Sequence, residues 1–207
     1  MRNDVVARTK PFVFLACLVP FAWLAWDVWA QTLGTDPVAQ LEHRSGDWAL
    51  RFLLVTLAVT PLRRATGWNA LVRYRRMLGL FAFFYATLHL TIYLVVDLGG
   101  FWSQLFVEIV KRPYITVGFA AWLLLVPLAI TSTKGMVRRL GRRWQVLHRL
   151  VYVCGLLAVL HYLWLVKSGE KIAVVEPLVY FAIFAALMLA RLPWTRWAGA
   201  LRAGRAA

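Results

Sequence analysis

His89, His148 and His161 lie inside long apolar runs of this sequence, and Arg75 stands fourteen residues before the first of them. Ionisable side chains in hydrocarbon are costly, and where they persist they mark a pathway, a relay or a cofactor. One such histidine is as easily a hydrogen-bonded link between packed helices. Three on two runs are harder to explain by packing and point to ligation. The remaining histidine, His43, sits beside Glu42 and Arg44 in a polar stretch and reads as a solvated loop residue.

Helical rise turns spacing into depth. His89 stands about 21 Å beyond Arg75, and His161 about 20 Å beyond His148. His89 and His161 therefore share an upper level, and Arg75 and His148 a lower one. Zinc needs four ligands in a tetrahedron, and no Cys, Asp or Glu joins these histidines at their depth. Haem iron needs two axial ligands from opposite sides, and bundles hold such cofactors between facing helices. Two imidazoles at one height fit a haem b at the upper level, with His148 marking a second, lower one. Phe81, Phe83, Phe84, Tyr85, Tyr152, Tyr162 and Trp164 either flank a porphyrin or are ordinary packing.

Two points resist this scheme. Thirteen residues at 100° each leave a large angular offset, so the run carrying His148 and His161 must tilt or unwind, with Gly155 the expected place, or the two face different neighbours. Arg75 has five donors and no acceptor while protonated. On chemistry alone it first snorkels to headgroups or sets topology. Next it forks onto a haem propionate, and last it binds iron as a deprotonated guanidine.

The elements that position these groups are membrane helices. The 207 residues are 61% hydrophobic and 16% charged, with a mean hydropathy of +0.65; soluble domains are near half apolar and a quarter charged. Apolar runs fall at roughly 11–30, 48–62, 77–96, 114–131, 147–166 and 173–190, near the length a bilayer needs. The expected fold is an all-α membrane protein, a six-transmembrane-helix bundle forming one domain over 1–207, without internal repeat or linker. The first run is longer than a signal-peptide core and reads as a retained span. Cys17 and Cys154 sit singly in apolar stretches and read as small buried hydrophobes.

Charge sets the direction. The segments before the first run, between the second and third, between the fourth and fifth, and after the sixth hold 17 Lys and Arg; the alternate loops hold 5, namely Arg44, Lys111, Arg112, Lys167 and Lys171. Cytoplasmic loops keep the positive charge, so both termini are expected in the cytoplasm. The same distribution, basic residues at the ends of apolar runs, argues against nucleic acid as the meaning of the net charge of +15.

The stretches FLLVTLAVTPLRR (52–64), RRMLGLFAFFYATLHL (75–90), KRPYITVG (111–118), LAITS (128–132), LGRRWQVLHRLVYV (140–153) and HYLWLVK (161–167) resemble those of the haem-binding membrane subunits of bacterial methionine-sulfoxide reductase systems, within the ferric-reductase-like transmembrane group. The resemblance runs from the second span to the end of the fifth. It implies haem b, a multi-pass place in the bacterial inner membrane, and electrons taken from the quinone pool. It implies as partner a periplasmic molybdopterin-containing methionine-sulfoxide reductase that repairs oxidised proteins. It also implies FMN, for which no Gly-rich site is found. Relatives in the wider group stack two haems between histidine pairs on spans 3 and 5. Here His89, His148 and His161 stand at three of those positions and Arg75 at the fourth, which leaves the sixth ligand of the lower haem open.

No residue is assigned a catalytic role. The roughly seventeen residues after the sixth run have no room for the flavin and nucleotide domain that some relatives carry, so electrons are expected to be borrowed and passed on. Trp68, Asn69, Trp144 and Gln145 mark a cytoplasmic-side place for a quinol. Two rival readings stand beside this one: a stand-alone quinol-dependent ferric or metal reductase, and a non-redox membrane scaffold or transporter.

Overall fold

A computed structural model describes residues 2–167 and 175–192. They form α1 (Arg2–Trp29), α2 (Pro37–Thr66), a 3-10 turn (Asn69–Leu71), α3 (Val72–Ile92) continued by a π-helical turn (Tyr93–Asp97), α4 (Trp102–Lys111), α5 (Pro113–Ile130), α6 (Lys134–Leu140), α7 (Arg142–Leu147), α8 (Leu150–Lys167) and α9 (Val175–Leu189). No strand occurs among the described residues. The all-helical expectation holds.

By length and composition, four stretches can cross a membrane: Val5–Trp29, Asn69–Asp97, Pro113–Ile130 and Arg142–Leu165. Val175–Leu189 is apolar but shorter. The second expected run is the inner part of α2, a 30-residue helix whose outer end is polar. Lys171, Arg196, Arg202 and Arg205, together with the start of the sixth run, lie outside the described residues.

Two loops prove shorter than expected, for local reasons. Asp36 caps α2 by accepting from the Ala39 amide at 3.1 Å, with Pro37 at the first helical position. A capped start with proline at N1 fixes a helix terminus, so α2 begins at 37 rather than near 48. His43 is accordingly on a helix and half-buried, not in a solvated loop. The outer segment after α3 holds α4, which exposes Phe106 and Val110; an amphipathic helix of this kind lies along a membrane interface. The Thr116 hydroxyl donates to the Ile109 carbonyl at 2.6 Å and ties α5 back to α4.

The core lies where α1, α2 and α3 meet. Phe52 and Tyr85 stack at 5.1 Å with Phe81 beside them, and Tyr85 is fully buried. Its hydroxyl enters the ladder of α1: it accepts from the Phe21 amide at 3.0 Å and donates to the Cys17 carbonyl at 2.8 Å. These two groups would otherwise bond each other as residues i+4 and i. Pro20 lies between them, and a side chain inserted beside a proline is a standard cause of a helix bend. Cys17 and Cys154 are buried free thiols, as their surroundings suggested.

The angular offset on the fifth run is met by a break at its N-terminal, basic end. The helix breaks at His148 and Arg149, between α7 and α8, and Gly155 continues α8 unbroken. Gly155 has a different use: a Cβ there would lie 2.7 Å from the Phe184 ring and 3.2 Å from Leu57, so its absence lets α9 and α2 close on α8.

Candidate haem site

The upper level is built from two helix pairs, α2 with α3 and α5 with α8. His89 of α3 donates from Nδ1 to the Glu42 carbonyl of α2 at 3.0 Å, and His161 of α8 donates from Nδ1 to the Tyr114 carbonyl of α5 at 2.7 Å. A carbonyl only accepts, so the proton of each ring sits on Nδ1 and the lone pair on Nε2. A backbone oxygen on one ring nitrogen is the usual outer support of a histidine that ligates through the other. Ser45, buried beside Glu42, lies 3.4 Å from the same Nδ1 of His89.

Both pairs use the same device. In each, the histidine lies 47 residues after its acceptor, and a glycine, Gly46 or Gly118, follows that acceptor by one helical turn. A Cβ on Gly46 would stand 3.3 Å from His89 Cε1 and Nδ1, and one on Gly118 would stand 2.7 Å from His161 Nδ1. The missing side chain uncovers the carbonyl one turn earlier and lets the imidazole reach helix backbone. The structure thus holds a repeat that sequence reading did not find. Gly46, Gly118, Ser45 and Tyr114 were missed as site residues. The one sequence signal was Gly118, a glycine in an apolar run, which can mark a close approach; Gly46 lay in a stretch that read as a polar loop.

The two imidazoles face each other with ring centroids 6.3 Å apart and planes at 70°. Two metal–nitrogen bonds of about 2 Å each, with a ring radius added on either side, span roughly 6 Å. A cavity of about 380 Å³ opens between the helix pairs and reaches both histidines, Gly46, Gly118, Trp122 and Cys154, within the usual range for cofactor sites. Among the described residues no cluster of three or more His, Cys, Asp or Glu is arranged to hold a bare metal ion. Two imidazoles 6.3 Å apart, each with Nε2 left unprotonated beside a largely apolar cavity, suit an iron whose other ligands come from a macrocycle, so the upper residues fit haem.

The lower level is arranged differently. The Thr131 hydroxyl donates to the Pro127 carbonyl at 2.6 Å, so the His148 Nε2 at 3.0 Å from it is the donor of that contact. That puts the lone pair of His148 on Nδ1. Trp144 stacks on the ring at 3.9 Å and donates its indole N–H to the Thr131 carbonyl at 2.9 Å. Arg75 is half-buried, unlike the exposed Arg73 and Arg76, and lies near enough to His148 for their charges to interact. Neither residue lines the upper cavity.

A second, apolar cavity of about 430 Å³ lies between α1, α2 and α3. Trp68 lines it together with Thr9 and Tyr74, whose hydroxyls hydrogen-bond each other. Of the four residues marked for a quinol, Trp68 is the one that reaches this cavity.

Comparison with known proteins points to one family. Residues 45–159 match the family described as ferric reductase like transmembrane component. A protein of Xanthomonas oryzae pv. oryzae (strain MAFF 311018) is 58% identical, over 93% of this chain and 87% of its own length. One of Xanthomonas campestris pv. campestris (strain 8004) is 60% identical over the same shares. One of Herminiimonas arsenicoxydans is 52% identical over 89% and 84%. All three are named protein-methionine-sulfoxide reductase heme-binding subunit MsrQ.

Proposed function

Since the chain belongs to the ferric reductase like transmembrane family, we propose that it is a membrane haem b electron-transfer subunit. It takes electrons from the quinone pool and delivers them across the inner membrane to a periplasmic methionine-sulfoxide reductase. The observation that carries the reading is the His89–His161 pair, 6.3 Å apart, each ring held by a backbone carbonyl with its Nε2 turned into ligand form.

Haem, when bound, supplies a one-electron couple. The chain's own residues do the rest. Glu42 and Tyr114 keep the proton on Nδ1 of each ligand, Gly46 and Gly118 give the rings room, and Trp122, Leu125 and Ala158 keep water from the cavity. At the lower level His148 and Arg75 would hold a second haem, Arg75 through its iron or a propionate. The half-burial of Arg75 supports a role beyond setting topology. The apolar cavity at Trp68 and Tyr74 supports a quinol donor at that end. FMN has no supporting feature.

The test is electron delivery. The haem of the purified chain is reduced chemically, and the oxidised periplasmic reductase is added with a methionine-sulfoxide protein. Rapid reoxidation with repair of the methionine supports the proposal. Haem that stays reduced with that partner, yet reoxidises with ferric chelates, assigns the chain to the stand-alone metal reductases.

A further inference from the structure

The polar side of the upper cavity is lined by Asp36, Glu42, Asp47 and Asp97, and Arg112 is the only Lys or Arg among the described residues lining it. Apart from the pair His89 and His161, His43 is the one other lining side chain able to carry positive charge. A haem b would bring two propionates of its own, which these carboxylates disfavour and Arg112 favours.

Arg112 is built into a fixed corner. It is the residue before α5, with Pro113 at the first helical position, and its Nε pairs with Glu108 at 2.7 Å. Its Nη1 donates to the Tyr114 hydroxyl at 3.1 Å. Tyr114 also supplies the carbonyl that holds His161, and its ring packs 6.2 Å from that imidazole. One tyrosine thus sets both the guanidinium and the ligand. Nη2 of Arg112 has no hydrogen-bond partner among the described residues, which leaves that nitrogen as a donor for a carboxylate.

We propose that Arg112 is the residue that pairs with the propionates of the upper haem, fixing the orientation of the ring and raising its reduction potential. This rests on the upper haem proposed above. A cation beside the ring favours the less positive, reduced state, and net charge is one of the levers that set haem potential.

The test uses the full chain purified with its haem, in its parent form and as Arg112→Gln, Arg112→Lys and Lys111→Gln. All four should keep the low-spin spectrum. Arg112→Gln should lower the midpoint potential, shift the propionate bands in resonance Raman, and weaken haem retention by about tenfold, the scale of one charge-assisted pair. Arg112→Lys, which keeps the charge without the planar fork, should fall between, and Lys111→Gln should match the parent. Reconstituted with haem dimethyl ester, which has no propionate charge, the parent and Arg112→Gln should retain the ring equally. If Arg112→Gln does not fold, the lysine variant and the ester arm on the parent decide. Potential and retention in Arg112→Gln equal to those of Lys111→Gln overturn the assignment of Arg112 alone. A parent chain without low-spin haem, or a His161→Ala variant that keeps it, overturns the upper haem and this inference together.

Discussion

At the residue scale, the chemistry was legible and its support was not. Histidines in hydrocarbon stand out in any sequence because their cost demands a reason, and helical rise placed His89 and His161 at one level before any coordinates. The groups that hold them were hidden, because a main-chain carbonyl has no letter. What made those carbonyls reachable were two unremarked glycines, Gly118 in an apolar run and Gly46 in a stretch that read as a polar loop. Their distances now rank them. A Cβ at 2.7 Å from His161 Nδ1 must displace the ring, while one at 3.3 Å from His89 asks for a few tenths of an ångström. Overpacking of this kind costs about 1–3 kcal/mol, and here the displaced atom belongs to a ligand. Gly118→Ala should therefore lose most of the upper haem, and Gly46→Ala should keep it in a perturbed low-spin spectrum. Haem per chain and an optical spectrum on purified protein check this, and equal haem in both variants would refute the ranking.

At the element scale, apolar runs placed α3, α5 and α8 to within about five residues, because the 20-residue length required by a bilayer dominates every other signal, whereas α1 begins at Arg2 rather than near 11. The errors fell where polar chemistry outranks hydropathy. Asp36–Pro37 starts α2 a full three turns early, α4 forms where a loop was expected, and the fifth run breaks at His148 rather than Gly155. The bridge from Tyr85 to α1 was equally invisible, since nothing in the sequence pairs residue 85 with the turn at Cys17–Phe21. Its removal gives a sharp prediction. Tyr85→Phe keeps the stacking on Phe52 but leaves a buried amide and carbonyl without their bridge, at a cost of about 1–3 kcal/mol. Thermal unfolding in detergent should begin at lower temperature, while haem content at 20 °C should equal that of the parent. An unchanged melting curve would mean that Phe21 and Cys17 re-form the direct bond.

At the scale of the whole molecule, two charge distributions run in opposite directions. The segments flanking the lower level carry 17 Lys and Arg against 5 in the alternate loops. Of the 9 acidic residues, Asp4 alone lies at the basic end. The described ion pairs, Asp27–Arg44, Asp47–Arg51, Arg51–Glu176 and Glu108–Arg112, all lie at the other end. Insertion responds to the basic count and little to the acidic one, so the basic end is expected in the cytoplasm. The acidic end, with the His89–His161 cavity near it, would then face out, and the proposed electron path would run from Arg75 and His148 toward the periplasm. A reporter fused after Ala207 should therefore read as cytoplasmic, and one inserted at Gly34, in the turn before α2, as periplasmic. Neutralising Arg138, Arg139, Arg142 and Arg143 together should weaken that preference, because they are the densest block between α5 and α8. If both reporters read the other way, the upper haem would face the cytoplasm and a periplasmic partner could not be its acceptor.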